Sequence, residues 1–161
     1  MPVMMPWLLV ALAVLAQAAP NKAVETKHLM LTTSASAGAV APGKKASLWI
    51  DVEPKPTMHV YSPGQKGYIA ITLTLEENAA VTAAKAKYPP GEKFFMEALN
   101  ETQLVYAKPF RIAQDVTLKP GGSADPVVIK GSVRYQACDD KICYLPQTVP
   151  VAWTIRRATP Q

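Results

Sequence analysis

"IAITLTLE", Ile69 to Glu76, sets Ile69, Ile71, Leu73 and Leu75 on one side of an extended chain and Ala70, Thr72, Thr74 and Glu76 on the other. Side chains along a strand point alternately to opposite faces, so this period of two predicts a half-buried β-strand. The same alternation recurs on both sides of it. "SLWIDVEP" carries Leu48, Ile50 and Val52 on one face and is closed by Pro54 and Pro56. Phe110, Ile112, Val116 and Leu118 mark another strand, ended by Pro120-Gly121-Gly122. Val127, Ile129, Val133 and Tyr135 alternate with Lys130, Ser132 and Arg134. Val149, Val151, Trp153 and Ile155 alternate with Thr148, Ala152, Thr154 and Arg156.

No segment carries a 3.6-residue apolar stripe, and fifteen prolines discourage long helices. The alanine-rich "ENAAVTAAKAK" suits a helical turn, although Val81 and Ala83 also fit a strand. Short strands separated by Gly and Pro predict an all-β fold, an antiparallel β-sandwich. No internal repeat divides the chain, so one domain is expected.

The chain opens "MPVMMPWLLVALAVLAQAAPNK". Trp7 to Leu15 is wholly apolar, and Ala16-Gln17-Ala18 supplies a small-x-small cleavage pattern. The run is shorter than the roughly 20 residues that span a bilayer. A signal peptide over residues 1–19, cut near Ala18 or Ala19, is therefore expected. Export places the cysteines where a disulfide persists. The net charge of +5 is scattered, with Lys44-Lys45 and Arg156-Arg157 as doublets and no aromatic interleaving. A solvated surface is the reading, and no nucleic-acid partner is expected.

Both cysteines of the chain, Cys138 and Cys143, sit in "YQACDDKICYLPQ", Tyr135 to Gln147. As a staple, so short a loop contributes on the order of 2 kcal/mol. As a metal clip, two thiolates fall short of the four ligands of a closed zinc site. His28 and His59, near Met30 and Met58, offer copper-compatible ligands but lie far off in sequence. As a redox pair, Asp139-Asp140-Lys141 is turn material that brings the two sulfurs together across a reversal. Counting parity from Val127 puts Cys138 on the polar face with Lys130, Ser132, Arg134 and Gln136, which predicts an accessible sulfur, as thiol–disulfide exchange requires. Asp139 and Asp140 disfavour a thiolate there, and Lys141 favours it.

Tyrosine-glutamine, a cysteine, a short acidic loop, a second cysteine and "YLPQTVPV" resemble the N-terminal domain of the bacterial thiol:disulfide interchange protein DsbD. "MHVYSPGQKGYIAITLTLE" is similar to that family's Tyr-containing turn and following strand, and "YPPGEKFFMEALNETQLVY" to its Tyr-Pro-Pro segment, cap region and returning strand. The likeness runs from about Lys44 to Ile155, and a domain over 44–157 is assigned to it, preceded by an N-terminal segment and first strand over 20–43. One difference is the Cys-x4-Cys spacing, which is one residue shorter than in the best-known members.

The resemblance implies an immunoglobulin-like sandwich in the periplasm, acting as a protein-disulfide reductase-type relay with no organic cofactor and no metal. Cys138 and Cys143 would cycle between dithiol and disulfide. Electrons would come from a membrane-embedded thiol reductase and pass to periplasmic thioredoxin-like proteins, including those of cytochrome c biogenesis. Phe94 or Phe95 would cap the pair, and Tyr61, Tyr135, Asp139 and Asp140 would line it. The chain ends at Gln161, without the transmembrane and thioredoxin-like domains of full-length DsbD, so the donor is expected on another polypeptide and the module itself as a monomer. The rival expectation is a β-sandwich binding module whose disulfide only fixes a loop.

Overall fold

The computed structural model describes residues 22–123 and 125–159. The signal peptide expected over residues 1–19 lies outside the described residues. Thirteen strands and one 3-10 turn, Glu97–Leu99, make up the regular structure among them. They are β1 (Lys22–Glu25), β2 (Leu29–Ala35), β3 (Ala39–Val40), β4 (Lys45–Pro54), β5 (His59–Tyr61), β6 (Thr72–Leu75) and β7 (Val81–Ala83). They continue with β8 (Glu92–Met96), β9 (Glu101–Tyr106), β10 (Phe110–Leu118), β11 (Val127–Tyr135), β12 (Ala137–Cys138) and β13 (Gln147–Arg157).

Two sheets form the sandwich. One runs β1-β2-β4-β10-β7, the other β3-β13-β11-β6. The pairings are antiparallel except that of β3 with β13. The alternating residues do what their period dictates. Leu48, Ile50, Val52, Ile112, Val116 and Leu118 of the first sheet meet Val127, Ile129, Val133, Val149, Val151, Trp153 and Ile155 of the second in one core. Polar groups tie the layers too, since Trp153 Nε1 donates to the Trp49 carbonyl at 3.2 Å. Pro150, which has no N–H to give, lies opposite Ser132 where β13 has β11 as its neighbour and β3 pairs only farther along. At Gly131 an added Cβ would sit 2.6 Å from the Thr74 carbonyl, so the approach of β6 to β11 needs glycine there.

The strand expected over Ile69–Glu76 is shorter than its pattern. Ile71 and Leu73 are buried and Thr72 and Thr74 exposed, as the alternation requires, but pairing begins only at Thr72. Upstream of it, Ile71 N–H is drawn away to the Tyr61 carbonyl at 2.8 Å and Ile69 N–H to the Gln136 side chain at 3.3 Å. "ENAAVTAAKAK" takes the extended option as β7, paired with β10. Where one first strand is expected, the described residues 22–43 hold three, and β2 contributes Leu29 and Leu31 to the main core.

A third, small sheet runs β12-β5-β9-β8. Its two faces are used differently. Val60, Tyr106 and Ala137 join the main core, whereas Tyr61, Val105 and Cys138 form a separate cluster. That second face carries the cysteines.

Candidate functional site

Cys138 ends β12, opposite His59 of β5, and is joined to Cys143 by a disulfide. The two Cα atoms are 4.0 Å apart and form an antiparallel bridge of their own. Cys138 is fully buried, and Cys143 is half-buried. The polar-face placement expected for Cys138 is therefore corrected. The strand alternation breaks at Gln136, between β11 and β12, where the chain leaves the second sheet for the third. Gln136 holds the crossing with both ends of its amide, accepting from Ile69 N–H and donating to the Tyr144 carbonyl at 3.2 Å. After that break parity no longer carries over, and both Ala137 and Cys138 turn inward.

Tyr61 stands over the sulfurs. Its hydroxyl lies 3.1 Å from Cys138 Sγ and 3.3 Å from Cys143 Sγ. Disulfide sulfurs carry no hydrogen, so the phenol is the donor. Burial first, then the neighbouring Tyr68 and Glu101, push its pKa up to about 12, which keeps the proton on the oxygen at any ordinary pH. Tyr68 stacks on Tyr61 with ring centroids 4.4 Å apart and donates to Glu101 Oε2 at 2.8 Å. Gln103, opposite Phe94 and fully buried, brings its amide toward both phenols without a well-formed hydrogen bond.

The two phenylalanines divide by strand parity. Phe94 is half-buried against the Tyr61–Cys138 cluster and rests on His59, ring centroids 4.6 Å apart. Phe95 points the other way and is 55% exposed. His59 itself is buried, its Nε2 has no hydrogen-bond partner among the described residues, and desolvation lowers its pKa against the opposing pull of Asp140 and Asp139.

The loop between the cysteines is organised by Asp139. One carboxylate oxygen accepts the N–H groups of Lys141 and Ile142, both at 2.8 Å, and the other accepts the Tyr144 hydroxyl at 2.8 Å. The Ile142 and Lys141 backbone bonds, then Tyr144, hold its pKa down at about 2. Asp140 is exposed. Tyr144 packs on buried His28 at 4.4 Å, with the Lys27 ammonium 5.1 Å from its ring centroid. Tyr135 is placed elsewhere: it lies in the main core and its hydroxyl bonds Thr26 and Gln147, at 2.9 and 2.6 Å.

The fold thus gathers Cys138, Cys143, Tyr61 and Phe94 at one spot, with Asp139 shaping the loop and Asp140 at its edge. Tyr68 and Gln103 were missed by sequence reasoning, and His59 was read only as a copper-compatible ligand. His59 was readable, because residues i and i+2 of a strand share a face with Tyr61; Tyr68 and Gln103 arrive from distant segments without a local signal. Among the described residues no group of three or more His, Cys, Asp or Glu side chains is placed to hold a metal ion.

The position of Phe94 has a measurable consequence. In the reduced protein, Phe94→Ala is expected to speed alkylation of Cys138 several-fold while Phe95→Ala leaves it unchanged. Truncating a half-buried ring costs less than the 3–5 kcal/mol of full burial, about 2 kcal/mol, so both variants stay folded for the comparison. Equal rates in the two variants would show that Phe94 does not shield the thiol.

The family model "Thiol:disulfide interchange protein DsbD, N-terminal" matches residues 26–153. No curated protein sequence matches the chain. The N-terminal periplasmic domain of ScsB from Proteus mirabilis superposes with a TM-score of 0.58 at 13% identity, over 86% of this chain and 51% of that one. The chain thus spans about half the length of that ScsB structure. The reduced-form N-terminal domain of Neisseria meningitidis DsbD superposes with a TM-score of 0.51 at 14% identity, over 81% of this chain and 87% of that one. At such identities the two likenesses speak for the fold, an immunoglobulin-like β-sandwich.

Proposed function

Given that the chain belongs to the family of DsbD N-terminal domains, thiol:disulfide interchange domains with a cysteine pair at bonding distance, we propose that it is an exported, periplasmic electron relay. Its donor is a membrane-embedded thiol reductase and its acceptors are periplasmic thioredoxin-like proteins. The observation that carries this reading is the asymmetry of the pair: Cys143 is half-buried at the surface and Cys138 is closed off behind it.

A donor thiolate attacks Cys143 Sγ in line with the S–S bond. That bond breaks, a donor–Cys143 disulfide forms, and Cys138 leaves as a thiolate. The Tyr61 hydroxyl, 3.1 Å away, donates to the developing charge. The donor's second thiol then attacks its own bridged sulfur and frees Cys143. Two electrons and two protons have entered, and the donor has become a disulfide. Running the sequence in reverse, Cys143 attacks an acceptor's disulfide and Cys138 closes back onto Cys143.

The full burial of Cys138 also favours a second reading, a β-sandwich binding module with a structural bridge. The reduction potential separates the two. Equilibration with glutathione and dithiol buffers is expected to place the pair above about −300 mV, the region below which structural bridges lie. Circular dichroism should show the fold intact after reduction, because the bridge contributes only about 2 kcal/mol to a stability of roughly 5–15 kcal/mol. A potential below that line, or collapse on reduction, would make the bridge structural.

A further inference from the structure

We propose that Asp139 is a positioning residue for ring closure: its carboxylate holds the dithiol loop folded, so that Cys138 and Cys143 stay within bonding reach after the disulfide opens. The inference rests on the exchange reading above. It starts from the fact that the hydrogen bonds the loop makes within itself do not involve sulfur. Asp139 N–H donates to the Ile142 carbonyl at 3.0 Å, and Tyr144 N–H to the Ala137 carbonyl at 2.8 Å. Between these two closures lie the three bonds to the Asp139 carboxylate, from Lys141 N–H, Ile142 N–H and the Tyr144 hydroxyl. Each can persist in the dithiol. Tyr144 is in turn seated on buried His28, which anchors the far end of the loop to the segment before β2.

The step concerned is the last of a turnover. The Cys138 thiolate attacks Sγ of Cys143 in its mixed disulfide with a partner. The Cys138–Cys143 bond forms, the Cys143–partner bond breaks, and the partner sulfur leaves as a thiolate that takes up a proton. Two electrons pass from the module to the partner. The rate and equilibrium of this closure follow how often the two sulfurs meet, and an ordered loop replaces a search through open conformers. With the carboxyl ionised far below neutrality, the support does not change over the ordinary pH range.

The test compares the full chain with Asp139→Ala and Asp139→Asn in glutathione redox buffers at neutral pH, with thiols counted at equilibrium. Asp139→Ala is expected to lower the closure constant roughly tenfold, the scale of one net hydrogen bond, which raises the potential by about 30 mV. Asp139→Asn is expected to keep the parent potential, because its amide oxygen accepts the same two backbone N–H groups and its NH2 donates to the Tyr144 hydroxyl oxygen in place of accepting from it, without the charge. Asp139→Ala at the parent potential would overturn the inference. So would Asp139→Asn shifting as far as Asp139→Ala, since the effect would then be one of charge on the thiols. If Asp139→Ala fails to fold, Tyr144→Phe, which strips the third carboxylate bond, is expected to shift the potential the same way by a smaller amount, and no shift would overturn the inference. A parent that does not exchange with glutathione at all overturns the relay reading itself, an outcome seen before any variant is compared.

Discussion

Cys138→Ser, which leaves Cys143 alone, is expected to accumulate a mixed disulfide with a thioredoxin-like partner, and Cys143→Ser is not. The remaining Cys143 is the partly exposed member of the pair, the one an incoming disulfide can approach, and has lost the neighbour that would release the product. In the other variant Cys138 remains at 0% exposure, packed with Tyr61 and Val105 and faced by Phe94. The reach of its thiol depends on local opening, so trapping should fall by roughly tenfold or more, in line with the inertness of buried cysteines. Non-reducing electrophoresis of tagged variants from cells, followed by identification of the captured species, reads the asymmetry directly. Equal trapping by both variants would remove the division of labour between the sulfurs. Trapping by neither would leave the pair as a structural bridge.

Trp153→Ala is expected to cost about 3–5 kcal/mol, enough to consume much of the stability of a domain this size. The indole is 4% exposed, sits in the middle of β13 opposite Ile129, and packs into the single core shared by the two sheets. Its removal also deletes the indole's hydrogen bond to the Trp49 carbonyl of the facing sheet. Urea unfolding followed by circular dichroism measures the loss as a lower midpoint. The comparison that matters is with reduction of the disulfide, which should move the midpoint by less than half as much. A Trp153→Ala loss under about 1 kcal/mol would mean that the two layers are held by something other than this core. By contrast, the surface pair Arg111–Asp51, close to half exposed on each side, is worth at most about 1 kcal/mol.

The two experiments probe different parts of one design. The sandwich supplies stability through its two large sheets, and the small third sheet borrows from it. Val60, Tyr106 and Ala137 anchor that sheet in the common core, which frees its other face to present a disulfide. Tyr61 belongs to the same strand as Val60, so the phenol over the sulfurs is fixed by a core residue one position away.

The sequence by itself determined the long strands of the sandwich and the local pairing of the two cysteines. Alternation at Leu48–Val52, Val127–Tyr135 and Val149–Ile155 could bury its apolar side in only one way, because a one-residue slip would turn every core residue to water. Two cysteines with four residues between them, most of these turn-forming, could meet only locally. Tertiary structure alone decided which sulfur is reachable and what surrounds it. The break at Gln136 moves the chain from one sheet to another, and strand parity has no meaning across such a change of partner. The choice of Phe94 over Phe95 followed from the register of β8 on β9, and the stacking of Tyr68 on Tyr61 from the path of a loop. These are contacts between segments far apart in the chain, and periodicity, a local property of sequence, does not record them.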